Sequence, residues 1–185
     1  MPRARGHIFV SSTVWLKLAL LLLVLGCPAA GAAQPASEYQ IKAAFLYNAP
    51  KFVDWPPEAA AAQVFTIGVL GDDPFGPLLE QLANRTVKGK KIVVRRITSP
   101  DRAAECQLLF IAASEQRRLS TVLGRLRELP LLTVSDIDGF AFAGGMLELS
   151  MDRDRLTFII NNRQSKRQGF KISSQLLKLA QEIVE

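Results

Sequence analysis

The chain has 185 residues, 23 Lys and Arg against 17 Asp and Glu, a formal net charge of +6, one histidine and two cysteines. That length suits one domain with a sizeable core. The single histidine leaves little room for imidazole chemistry.

The first thirty-three residues narrow this further. Arg3, Arg5 and Lys17 precede any acidic residue, and the apolar run Leu18–Leu25 follows. Small residues then close the segment at Ala29–Ala33. A charged start, a short apolar centre and a small-residue exit predict a signal peptide over residues 1–33, cleaved near Ala33. The run is shorter than the roughly 20 residues of a membrane-spanning helix. A second processing route is open at Val24–Leu25–Gly26–Cys27, which resembles a lipobox and would leave a lipoprotein anchored at Cys27. Cleavage near Ala33 removes His7 and Cys27 and lowers the net charge from +6 to +3. About 152 residues then form one domain.

The exported chain has no parts for a Ser-His-Asp triad, a Cys-His dyad or a His-ligated metal, so an enzyme is not expected. Its modest basicity and its export argue against a nucleic-acid partner. Cys106 has no cysteine to pair with, and it opens an apolar stretch. It reads as a small buried hydrophobe.

Residues 34–36 read as a flexible lead, and 37–185 as the single folded domain. Ser37 is placed to cap a helix whose apolar positions Ile41, Ala44, Phe45 and Phe52 share one face. Pro50 should kink or end that helix, and Ala59–Ala62 read as a linker or a loose turn. Val64–Leu70 predicts a strand buried on both faces, stopped by Gly71. A turn over 71–77 feeds a helix from Leu78 to Leu82. Ile92–Ile97 and Leu108–Ala112 are further strands. Ser114 is expected to cap a helix carrying Leu119, Val122, Leu123 and Leu126 on one face. Leu131–Val134 is a fourth strand.

The rhythm then changes. Leu147, Leu149 and Met151 alternate with polar neighbours, as do Leu156, Phe158 and Ile160, and Asp152–Arg155 joins the two runs. An antiparallel hairpin with one wet face is predicted. Ser173 or Ser174 should cap a last helix with Leu176, Leu177, Ala180, Ile183 and Val184 on its apolar face. The pattern predicts an α/β three-layer sandwich: a mixed sheet, parallel at its centre with an antiparallel edge hairpin, and helices on both faces.

Two loops at strand ends carry the candidate ligand-binding residues. Asp72, Asp73 and Phe75 follow the first long strand, and Ser135 and Asp136 follow the fourth. Open α/β sheets bind ligands there. The carboxylates could accept hydrogen bonds from a cationic or hydroxyl-bearing ligand. The simpler reading is that Asp73 and Pro74 shape a turn. GxGxxG is absent and the acidic spacing fits no calcium loop, so neither a cofactor nor a metal is expected. Phe45, Tyr47, Phe52 and Trp55 concentrate aromatic side chains in one segment. They are the candidate partner-binding residues, should any be left exposed. The clusters Lys88–Lys91, Arg95–Arg96 and Arg163–Lys171 read as solvated faces, or as surfaces for an acidic partner or anionic headgroups.

Several segments together carry a resemblance. Glu38–Asn48 with Lys51–Phe52–Val53–Asp54–Trp55–Pro56 is similar to the opening of the YfiR-like family of exported bacterial proteins. Val69–Phe75, Leu132–Asp136, Gly139–Phe140, Gly144–Met146 and Gly169–Leu177 continue it in order. The resemblance implies a three-layer α/β sandwich and a periplasmic regulator, not an enzyme. It also implies a partner, the periplasmic part of an inner-membrane diguanylate cyclase that is held inactive, with control of cyclic di-GMP and biofilm formation. An outer-membrane lipoprotein as a second partner, and a homodimer, are implied in the same way. The alternative is a periplasmic small-ligand-binding protein that uses the Asp-rich loops.

Overall fold

The computed structural model describes residues 37–185. The predicted leader and its cleavage or lipidation sites lie outside the described residues.

Helix α1 (Glu38–Asn48) starts at a reciprocal cap. The Ser37 hydroxyl accepts from the Gln40 N–H at 3.3 Å, and the Gln40 side chain accepts from the Ser37 N–H at 2.8 Å. Pro50 cannot extend an α-helix, and Ala49–Phe52 tighten into a 3-10 turn that leads to the short strand β1 (Val53–Asp54). The stretch expected to be a linker or a loose turn begins in a one-turn helix, α2 (Pro57–Ala60), with a proline at its first position.

Strand β2 (Val64–Leu70) follows, then α3 (Pro77–Glu80) and the hairpin β3 (Thr86–Val87) and β4 (Lys90–Ile97). Beyond a 3-10 turn at Pro100–Glu105 lie β5 (Leu108–Ile111), a second 3-10 turn at Ala113–Arg118, and α4 (Leu119–Leu126). Next come β6 (Leu132–Ser135), the hairpin β7 (Leu147–Asp152) and β8 (Arg155–Asn161), and α5 (Asn162–Arg167). The last elements are β9 (Lys171–Ile172), α6 (Ser174–Leu179) and β10 (Glu182–Val184).

Eight strands form one mixed sheet in the order β10-β8-β7-β6-β5-β2-β4-β3. Strands β4, β2, β5, β6 and β7 run parallel through the centre, while β8 is antiparallel to β7 and β3 to β4. The register sets Ile67 beside Leu108, Leu108 beside Leu132 and Leu147 beside Ile160. Strands β1 and β9 pair separately.

Alternation along β5 builds the two cores. Leu108 and Phe110 join Phe65, Ile67 and Val69 of β2 against α1, α3 and α6. Leu109 and Ile111 face Val122 and Leu126 of α4. Helices therefore cover both faces of the sheet, the three-layer α/β arrangement that the pattern predicts. Gly68 has a packing reason. A Cβ there would lie 2.6 Å from the Cys106 sulfur and 2.8 Å from Leu109.

Three local expectations are corrected. The buried face of α1 is Lys42, Ala43 and Leu46, while Ala44 is exposed and Phe45 half-buried. A lysine sits in the apolar stripe because a carboxylate waits for it. Ser114 does not cap a helix: its hydroxyl accepts from the Asp72 N–H at 2.9 Å, and α4 starts without a side-chain cap. The final helix stops at Leu179, and Glu182–Val184 pair in parallel with Ile159–Asn161 of β8. The open edge of β8 offers backbone bonds to the β-branched Ile183 and Val184, and pairing wins over helix.

Candidate functional site

The parallel strands β2, β5 and β6 end on the same side of the sheet, and their loops bring the Asp-rich segments together. Leu70 passes into Gly71, whose φ of +92° is left-handed. A Cβ at Gly71 would also run into the Ser114 hydroxyl. Ser114 holds this turn through the Asp72 N–H, and the Asp72 side chain is left exposed.

Asp73 is engaged within the fold. One oxygen accepts from the Phe75 N–H at 2.8 Å, closing an Asx turn, and the other accepts from Arg96 Nε at 2.9 Å. Arg96 also binds Glu80 and the Gly76 carbonyl. The hydrogen bond to Glu80 is the main reason its proton is held more firmly, burial opposes it, and Asp73 adds to it. Phe75 is a core residue at 2% exposure, edge-to-face with Phe110 at 4.7 Å and with Tyr39 at 5.3 Å.

Ser135 is fully buried. Its hydroxyl donates to the Ile111 carbonyl at 2.7 Å and accepts from the Ile137 N–H at 3.1 Å, which ties the end of β6 to the end of β5. Asp136, with its side chain only 8% exposed, meets α1. Its Oδ2 accepts from Lys42 Nζ at 2.6 Å and from the Tyr39 hydroxyl at 3.1 Å. Lys42 also pairs with Glu38 and lies 4.7 Å from the Tyr39 ring centroid. Asp136 Oδ1 is buried without a hydrogen-bond partner among the described residues.

Burial works to lower the Lys42 pKa, but its hydrogen bonds to Asp136 and Glu38 outweigh it and raise it. Burial and the Asp136 charge both raise that of Tyr39. The structure thus gathers the two loops. Of the five residues singled out there, Asp73, Ser135 and Asp136 make internal bonds and Phe75 packs in the core. The side chains of α1 fill the space between the loops.

The sequence reading missed Lys42, Tyr39 and Arg96. Its one available signal was a cation at a core-facing helical position. It also placed Glu148 on a wet face. The structure buries Glu148, whose carboxylate accepts from the Gly139 N–H at 3.1 Å and the Ala141 N–H at 2.9 Å. Gly145 lies in the same loop, where a Cβ would overlap the Phe140 ring. No group of three or more His, Cys, Asp or Glu side chains that could hold a metal is found among the described residues.

The aromatic segment has a different setting. Phe45 packs on Phe158 at 5.0 Å, and Trp55 packs edge-on against Phe65 and Phe170. Phe52 is half-buried against the same core. Tyr47 is held between cations, with Lys51 Nζ 3.6 Å and the Arg85 guanidinium 5.4 Å from its ring centroid. It borders a groove of about 380 Å³ between α1 and the α3 segment, lined also by Gln40, Ala44, Leu78, Gln81 and Arg85. Neither Lys51 nor Arg85 pairs with a carboxylate among the described residues.

Two solved structures share the architecture. One is the ABC domain in complex with L-Trp from Streptococcus pneumoniae, at a TM-score of 0.52 and 13% identity, covering 78% of this chain and 60% of that one. The other is a conserved domain protein from Vibrio cholerae O1 biovar El Tor, at a TM-score of 0.56 and 11% identity, covering 80% of this chain and 60% of that one. At such identities the likeness is one of fold. This chain spans 60% of the length of each. The model of the YfiR/HmsC-like family matches residues 39–181, from the first turn of α1 to the threshold of β10, and the chain therefore belongs to that family.

Proposed function

We propose that this protein is a periplasmic regulatory binding protein that holds the periplasmic part of an inner-membrane diguanylate cyclase inactive. By doing so it would control cyclic di-GMP and biofilm formation. The observation that carries this reading is the family match over 39–181, which takes in nearly the whole folded domain and, but for Glu38, the segments that carry the resemblance. The internal bonding of Asp73, Ser135 and Asp136 favours this reading over ligand capture by the Asp-rich loops. The groove beside Tyr47, where Lys51 and Arg85 have no carboxylate partner among the described residues, suits an acidic segment of the partner.

Crosslinking in intact cells tests the proposal. The expected product joins this chain to a membrane protein carrying a diguanylate cyclase domain, and deletion raises cyclic di-GMP. Arg85→Glu should weaken the crosslink and raise cyclic di-GMP in the same direction, by reversing the charge at the groove. Recovery of the chain uncrosslinked, with cyclic di-GMP unchanged on deletion, would sink it.

A further inference from the structure

A second concavity, of about 230 Å³, opens where β2 and β4 begin, away from the Asp-rich loops. Trp55, Ala59, Ala60 and Phe65 give it an apolar lining, and Lys88 and Lys90 complete it. Trp55 and Phe65 meet edge-to-face at 5.2 Å, so two rings in fixed orientation form part of the wall. The indole N–H is committed to the Pro50 carbonyl at 3.3 Å. The polar character of the site therefore comes from the two lysines.

Both lysines are held to main-chain carbonyls. Lys88 Nζ donates to the Val53 carbonyl at 2.5 Å, and Lys90 Nζ donates to the Ala60 carbonyl. A carbonyl is neutral and occupies one of the three donors of an ammonium group. Among the described residues, the one carboxylate paired with either lysine is Asp54, 3.7 Å from Lys88 with its side chain 82% exposed, a weak and solvent-screened pair. Two positive charges thus stand at an apolar slot with donors to spare.

The backbone supplies an independent observation. Lys88 and Gly89 form the two-residue turn between β3 and β4, with φ of +49° and +79°. Such a turn favours Asn, Asp or Gly at its first position, where a lysine is locally disfavoured. Turn propensity alone does not account for Lys88, whose side chain reaches both the Val53 carbonyl and the slot.

We propose that this slot binds a small organic anion. Its flat apolar body lies against Trp55 and Phe65, and its carboxylate lies between the ammonium groups of Lys88 and Lys90. The volume is below the usual range for drug-sized ligands, which points to a single ring with a short acidic arm. The site is separate from the groove beside Tyr47, so it stands or falls independently of the partner reading.

Phenylacetate is a suitable probe and phenylacetamide its uncharged counterpart. Titration of the 15N-labelled protein is read at the Trp55 indole N–H, identified by its loss in Trp55→Phe. Phenylacetate should shift that resonance saturably, and phenylacetamide should bind about tenfold more weakly, as loss of charge-assisted hydrogen bonds requires. Lys88→Asn is the decisive variant, because Asn suits the left-handed turn. It should weaken phenylacetate binding by about tenfold while the thermal midpoint holds or rises. Equal binding of the two probes, unchanged affinity in Lys88→Asn, or no saturable shift would each overturn the assignment.

Discussion

The Lys42 ammonium lies 2.6 Å from Asp136 Oδ2, a residue 94 positions away in the chain, and both side chains are more than nine-tenths buried. This pair joins the first helix to the end of β6. It fixes how α1 lies over the strand ends, and with Tyr39 and Phe75 it fills the space between the two Asp-rich loops.

Removing one member should expose how much the pair carries. Lys42→Met leaves a buried carboxylate with only the Tyr39 hydroxyl on Oδ2, and should cost about 3 kcal/mol in urea denaturation. Lys42→Met combined with Asp136→Asn should recover more than half of that loss, because the stranded charge is gone. Equal loss in the single and double variants would show that the methylene packing of Lys42, not its charge, holds the helix.

The same cluster should make stability sensitive to alkali. Tyr39 and Lys42 both have raised pKa values in the fold. The unfolded chain therefore releases these protons first. Their contribution is fully present below about pH 10 and is lost as pH rises through the folded-state values. Denaturation midpoints at a series of pH values above neutrality should fall more steeply for the wild type than for Tyr39→Phe. Parallel curves would remove Tyr39 from the account.

Cys106 should be chemically silent in the native state. It is 4% exposed, and burial pushes its pKa up to about 11. A thiol reagent at mildly alkaline pH should label it only on unfolding, so the labelling rate should track the unfolded population. Gly68→Ala, which crowds Cys106 and Leu109, should destabilise by about 1–3 kcal/mol and speed the labelling in proportion.

Glu148 should behave as the anchor of the 139–145 loop. Its two acceptor oxygens serve the N–H groups of Gly139 and Ala141. Glu148→Ala strands those donors and should cost about 1–3 kcal/mol. Hydrogen exchange at Gly139 and Ala141 should accelerate, whereas exchange at the β5 amides should follow global stability alone. Unchanged exchange at both positions would mean that the loop is held by Phe140 packing instead.

The central strands were legible because burial on both faces writes itself as continuous apolar runs. Val64–Leu70 and Leu108–Ile111 are such runs, and the 147–161 hairpin showed its alternation and its turn. The last segment was not legible. Leu176 to Val184 has helical spacing throughout, and only the open edge of β8 makes Glu182–Val184 a strand. Lys42 and Glu148 were hidden for a related reason. A charged residue reads as exposed until its partner is known, and each partner lies elsewhere in the fold.

Local chemistry and spacing were enough to read the apolar pattern of the strands, the Ser37 cap, the stop at Pro50 and the order of the family's segments. Folding was needed to show that Asp73, Ser135 and Asp136 bond internally, that Lys42 belongs in the core, and that Lys88 and Lys90 line one slot. Those outcomes depend on which distant groups arrive at hydrogen-bonding distance, and the topology of the sheet sets that.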